Sequence, residues 1–117
     1  MKSSDEQRLE HILDYCQDIE DSLDRFGRDL DVFVADRDFY NSVSMSLLQI
    51  GELTKRLAPE TMALTGEDIS WNAIKGMRDH FAHGYGEMDS EIILLTAVND
   101  IPVLKKKLEE LKNSLSA

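Results

Sequence analysis

The chain has 117 residues, one cysteine and a formal net charge of −10. That length suits a single domain over residues 1–117, able to bury roughly two thirds of its unfolded surface, so it needs no disulfide, which Cys16 alone cannot form in any case. No apolar run approaches the ~18 residues of a membrane span, the polar start "MKSSDEQRLE" does not read as a signal peptide, and one cysteine suits a reducing compartment, so a cytoplasmic protein is expected.

The segment "SSDEQRLEHILDYCQDIEDSLDRFG" predicts a long first helix. Ser3 and Glu6 have capping-box spacing. Leu9, Ile12, Leu13, Cys16, Ile19, Leu23 and Phe26 recur at three and four, which makes one apolar stripe. Cys16 on that stripe reads as core, and Gly27 stands where a helix-ending glycine belongs.

"DRDFYNSVSMSLLQIGELTKRLAP" predicts the second helix, with Tyr40, Val43, Leu47, Ile50 and Leu57 facing inward and Pro59 as its stop. Gly51 inside it costs about 1 kcal/mol relative to alanine, which points to another helix packing closely there. "ETMALTGEDIS" then reads as a connector holding at most a short helical turn.

A shorter third helix is expected over "SWNAIKGMRDHFAHGYG", with Ser70 as its cap, Trp71, Ile74, Met77 and Phe81 on one side, and Gly84 and Gly86 breaking it. The last helix, "DSEIILLTAVNDIPVLKKKLEELKNSL", carries a stripe of Leu94, Ala97, Ile101, Leu104, Leu108, Leu111 and Leu115. Pro102 must kink it or restart it after Asn99. Beyond Pro102 the alternation of Lys105–Lys107 with Glu109 and Glu110 reads as a solvated face around that stripe, with a dimer contact as the sharper alternative. No strand-length alternation or internal repeat is found, so the expected fold is all-α: an up-and-down four-helix bundle with an additional short helix.

Charge is spread unevenly. Residues 1–40 carry 12 acidic against 5 basic side chains, whereas residues 71–88 carry 2 of each. Bulk acidity opposes nucleic-acid binding, because phosphate contacts dominate that affinity. Any such role must be confined to a small cleft, and a basic partner protein is what the bulk charge favours.

The neutral window contains "GMRDHFAHGYGEMD", with Arg78, His80, His83 and Tyr85 close together. His80 and His83 share a helix face, yet a zinc site needs three or four ligands and Asp79, Glu87 and Asp89 complete one poorly. No serine elbow, P-loop or dinucleotide glycine pattern occurs. Arginine and histidine together suit phosphate chemistry: the guanidinium binds phosphate through paired hydrogen bonds, and the imidazole moves protons near neutral pH. Such a pair could cleave RNA without a metal. On an ideal helix, however, residues five apart point about 140° from each other. Convergence needs the helix to break near Gly84, or a second copy of the chain. A cluster of this kind is also compatible with plain polar surface at a helix end.

"RDHFAHGY" fits the Arg-x4-His-x-Tyr pattern of HEPN-domain proteins of the HepT toxin type, as Arg78, His83 and Tyr85. The resemblance extends to Ile50, Gly51 and Glu52 in "LLQIGELTKRL", to Ile69, Trp71, Ile74, Gly76 and Met77 in "DISWNAIKGMRDHFAHGY", and to "DIPVLKKKL". It covers nearly the whole chain. It implies a homodimeric helical bundle with the motif in a cleft near the interface, and a metal-independent endoribonuclease acting as the toxin of a type VII toxin–antitoxin pair. By the same resemblance Arg78 and His83 are the catalytic pair and Asp79 supports them. Tyr85 matches the tyrosine that a cognate minimal nucleotidyltransferase antitoxin modifies with AMP. RNA is the implied substrate, no metal or other cofactor is expected, and His80 falls outside the pattern. The alternative is a non-catalytic helical module that binds the nucleotidyltransferase and serves as its substrate.

Overall fold

The structure is a computed structural model that describes residues 3–65, 69–82 and 90–116. Helix α1, Ser3–Phe26, begins the chain and buries the predicted stripe: Leu9, Ile12, Cys16, Ile19 and Leu23 are buried, with Leu13 and Phe26 packed at its margin. It ends as its sequence requires. Gly27 adopts φ +89°, a left-handed conformation that side chains disfavour, and its N–H donates to Leu23 O at 2.8 Å.

The segment between the first two long helices is itself helical. It forms a six-residue helix α2, Leu30–Ala35. Two aspartates account for it. Asp29 accepts from Val32 N at 3.1 Å and starts the helix; the backbone N–H of Asp36 then closes it onto Val32 O at 2.9 Å. The Asp36 carboxylate in turn caps the next helix by accepting from Phe39 N at 3.1 Å. Phe33 from α2 meets the edge of Phe39 at 4.8 Å, and Phe26 stacks on Phe39 at 5.0 Å, so three rings fill this corner.

Helix α3, Arg37–Lys55, lies against α1 and α5 at the centre of the bundle. It buries Phe39, Val43, Leu47 and Ile50 together with Ser46, Gly51 and Thr54. The buried Thr54 hydroxyl donates to Ile50 O at 2.7 Å, which satisfies it within its own helix. A short helix α4, Pro59–Ala63, opens with proline in its first turn, where the missing N–H costs nothing. It is held from a distance: the buried Asp5 carboxylate accepts from Ala58 N at 3.1 Å and from Thr61 Oγ1 at 2.5 Å, and pairs with Arg8 at 2.8 Å. The Thr61 hydrogen bond is the largest of the influences that hold the Asp5 carboxyl below its ordinary value, against the opposing cost of burial.

Helix α5, Trp71–Ala82, follows, and its buried Trp71 donates from Nε1 to Thr65 Oγ1 at 2.9 Å. The last helical run comprises α6, Ser90–Leu95, a π-helical turn over Thr96–Asp100, and α7, Ile101–Ser116. Pro102 has no N–H to give to Val98, and its ring crowds that carbonyl. The chain does not restart there. It widens into the π turn just before the proline and continues, which moves the disruption into a single turn. Ile93, Leu94, Ala97, Ile101, Leu104 and Leu108 from this run are buried. Lys105 joins α7 to α1 through Glu20 at 2.8 Å and Gln17 at 3.0 Å.

All the described elements are helical, so the fold is an all-α bundle. Its long members are α1, α3, α5 and the α6–α7 run, and α2 and α4 are short additions. None of the described helices is long and apolar enough to cross a membrane. Cys16 is fully buried among core residues, and burial pushes its thiol up to about 12, as expected of a packing residue.

Candidate active site

Arg78 lies two thirds of the way along α5, at the place where that helix meets α3. The meeting point is Gly51. A Cβ added there would overlap Arg78 Cβ and lie 3.0 Å from Cγ and 3.3 Å from Cα. Only a residue without a side chain lets α5 come this close, so the interior glycine has the packing role that its cost in helix propensity suggested. Gly51→Ala should lower stability by roughly 1–3 kcal/mol, as overpacking does, and thermal melting would show it. An unchanged melting temperature would mean that the two helices are not held together at this point.

Glu52, the next residue on α3, completes the arrangement. Its Oε1 accepts a hydrogen bond from Arg78 Nε at 2.5 Å. The pair is partly shielded, with the Arg78 side chain 20% and Glu52 34% exposed. The stem of Arg78 thus starts where α5 lies closest to α3, and a carboxylate holds its Nε. A guanidinium placed in this way keeps its positive charge at a mostly shielded position, which suits it to hold a phosphate or to stabilise charge developing on one.

Beside this contact runs an apolar groove of about 310 Å³. Leu47 and Ile50 of α3, Ile74 and Met77 of α5, and Ile101 and Leu104 of α7 form its walls, with Asp100 from the π turn among the few polar groups. The groove and the Arg78–Glu52 pair therefore share α3 and α5.

Of the cluster Arg78, Asp79, His80, His83 and Tyr85 singled out from sequence, Arg78 is the one whose side chain the structure describes. Asp79 and His80 lie in α5, with side chains outside the described residues. His83 and Tyr85 lie outside the described residues altogether, so the structure does not bring the Arg78–His83 pair together or separate it. Among the described residues no three His, Cys, Asp or Glu side chains gather into a metal-binding set. Glu52 was legible only as part of a family-like segment. Its partnership with Arg78 spans 26 positions, and local sequence carries no signal for a contact at that separation.

Comparison with known proteins identifies a family. A family profile described as "Ribonuclease HepT-like" matches residues 12–111. A protein of Caldanaerobacter subterraneus subsp. tengcongensis that carries an RNase designation is 33% identical over 88% of this chain and 89% of its own length. A protein of Thermococcus cleftensis designated ribonuclease HepT is 31% identical over 85% of this chain and 94% of its own. One of Methanocaldococcus jannaschii, also designated an RNase, is 30% identical over 86% of this chain and 83% of its own. No solved structure matches the chain at a significant level.

Proposed function

The chain belongs to the HepT-like ribonuclease family, and from that premise we propose that it is a metal-independent endoribonuclease, the toxin of a type VII toxin–antitoxin pair acting in the cytoplasm. The observation that carries this reading is the setting of Arg78, the first residue of the Arg-x4-His-x-Tyr motif: mostly shielded, close against Gly51, and held at Nε by Glu52. In the proposed step a base takes the proton of a ribose 2′-hydroxyl. The 2′-oxygen attacks the adjacent phosphorus, the bond to the 5′-oxygen breaks, and that oxygen leaves with a proton. Arg78 stabilises the charge gathering on the non-bridging oxygens, His83 moves the protons, and Asp79 supports the site.

The working unit is a homodimer. Five apart in sequence, Arg78 and His83 diverge by about 140° if the helix simply continues, and a second copy is one way to complete the cleft. Apolar surface supports association: the groove beside α5 is open, and Ile92, Leu95 and Val103 on the last helical run are each about half exposed. Sedimentation at micromolar concentration should give about twice the chain mass of 13.3 kDa. A monomer would remove the shared cleft.

The partner is a minimal nucleotidyltransferase that adds AMP to Tyr85. The modification places a bulky, singly charged phosphodiester two positions from His83, where it can pair with Arg78 and block the cleft by charge and by size. Tyr85→Phe should fold normally, stay toxic and resist neutralisation by the partner. Intact-mass spectrometry after co-expression should show AMP-sized additions on the wild type and none on the variant. Equal modification of both would refute this control mechanism and leave the nuclease reading standing. Expression with and without the partner, scored for growth and RNA integrity, tests the whole proposal. RNA that stays intact even without the partner, together with modification of Tyr85 when the partner is co-expressed, would favour a non-catalytic module that serves as the nucleotidyltransferase's substrate.

A further inference from the structure

The contact between Glu52 and Arg78 sets a problem. A carboxylate beside a phosphate-binding arginine is an anion where another anion must come. It weakens RNA binding, and a partly exposed ion pair contributes little to stability in return. What the contact does supply is orientation. The guanidinium is planar and the Arg78 backbone on α5 is packed close against Gly51, so holding Nε at one point leaves the group little freedom to turn. Glu52 and Gly51 are adjacent on α3, so a single turn of that helix provides both the close approach of α5 and the acceptor for Nε.

Resting on the ribonuclease reading of Arg78, we propose that Glu52 is a positioning residue. It orients the Arg78 guanidinium for the transition state and accepts weaker RNA binding as the consequence. The element required is the Oε1 acceptor. The negative charge is what opposes RNA, so the two effects separate by substitution. Glu52→Gln retains an oxygen that can accept from Nε and loses the charge. Glu52→Ala loses both.

The test is steady-state cleavage of a fluorescent single-stranded RNA pool of randomised sequence by purified wild type, Glu52→Gln and Glu52→Ala, with melting temperatures recorded in parallel. The expected result is that Glu52→Gln keeps kcat within a few-fold of wild type with a lower apparent KM. Glu52→Ala should lose kcat on the order of 100-fold, the scale of a small misplacement at a reacting centre, with its melting temperature near that of wild type. A purely structural role would not lower KM in Glu52→Gln while sparing kcat. If Glu52→Gln is as impaired as Glu52→Ala, the carboxylate itself does chemistry and the positioning role is overturned. If Glu52→Ala cleaves as well as an active wild type, the residue has no role. An inactive wild type overturns the ribonuclease reading, and this assignment falls with it.

Discussion

Arg78→Ala should reduce RNA cleavage about a thousandfold or more while the protein stays folded, and growth arrest on expression should disappear with it. That magnitude is typical for removing a donor aimed at transition-state charge, and for losing a transition-state arginine in phosphoryl transfer. The side chain is partly exposed and its partner Glu52 is more so, hence truncation leaves Glu52 in contact with water and costs little stability. Arg78→Lys should rescue poorly, because an ammonium offers no planar fork and has no Nε for Glu52 to hold. His83→Ala should match Arg78→Ala in effect. Cleavage at wild-type rate by either folded variant would remove that residue from the chemistry.

Asp5→Ala should be among the most destabilising single changes in the chain, by roughly 2–4 kcal/mol, with the melting temperature lowered by roughly 10 °C. The carboxylate is 1% exposed and joins the start of α1 to the start of α4. Its loss leaves the Thr61 hydroxyl and the Ala58 N–H without their acceptor in a site shielded from water. The pH dependence has a definite sign. The folded carboxyl lies below its ordinary value of 3.8, so its stabilising contribution is present above that pH and is lost as pH falls through the lower folded value. Wild type should therefore lose stability on acidification below about pH 4, and Asp5→Asn, with no proton to take up there, should show a shallower acid limb. Equal acid limbs in the two proteins would show that Asp5 does not govern this transition.

Much of the bundle was legible because its core stripes are long and regularly spaced. Of the residues chosen from α1 at intervals of three and four, Leu9, Ile12, Cys16, Ile19 and Leu23 are buried and Leu13 and Phe26 pack at the margin, and Gly27 ends the helix where its type predicted. The misses share a cause. Helix α2 is too short to show periodicity, and it exists because Asp29 and Asp36 cap it while Phe33 packs on Phe39, contacts that depend on the fold. The π turn ahead of Pro102 resolves a conflict that sequence reveals, without revealing which solution the chain takes. Nothing local marks Asp5 among the other acids of α1, since its partners lie 53 and 56 positions away. At the site, composition pointed to Arg78 and the glycine penalty pointed to Gly51. That the two touch, and that Glu52 closes on Arg78 Nε, is a product of tertiary packing.

The most direct test of metal-independent cleavage at Arg78 is incubation of the purified protein with single-stranded RNA in excess EDTA, followed by analysis of the new ends. Cleavage by 2′-hydroxyl attack should persist in the chelator. It should leave 2′,3′-cyclic phosphate and 5′-hydroxyl ends, spare the matching 2′-deoxy substrate, and vanish in Arg78→Ala. Cleavage that stops in EDTA and returns with added metal, or that is undiminished in Arg78→Ala, would contradict it.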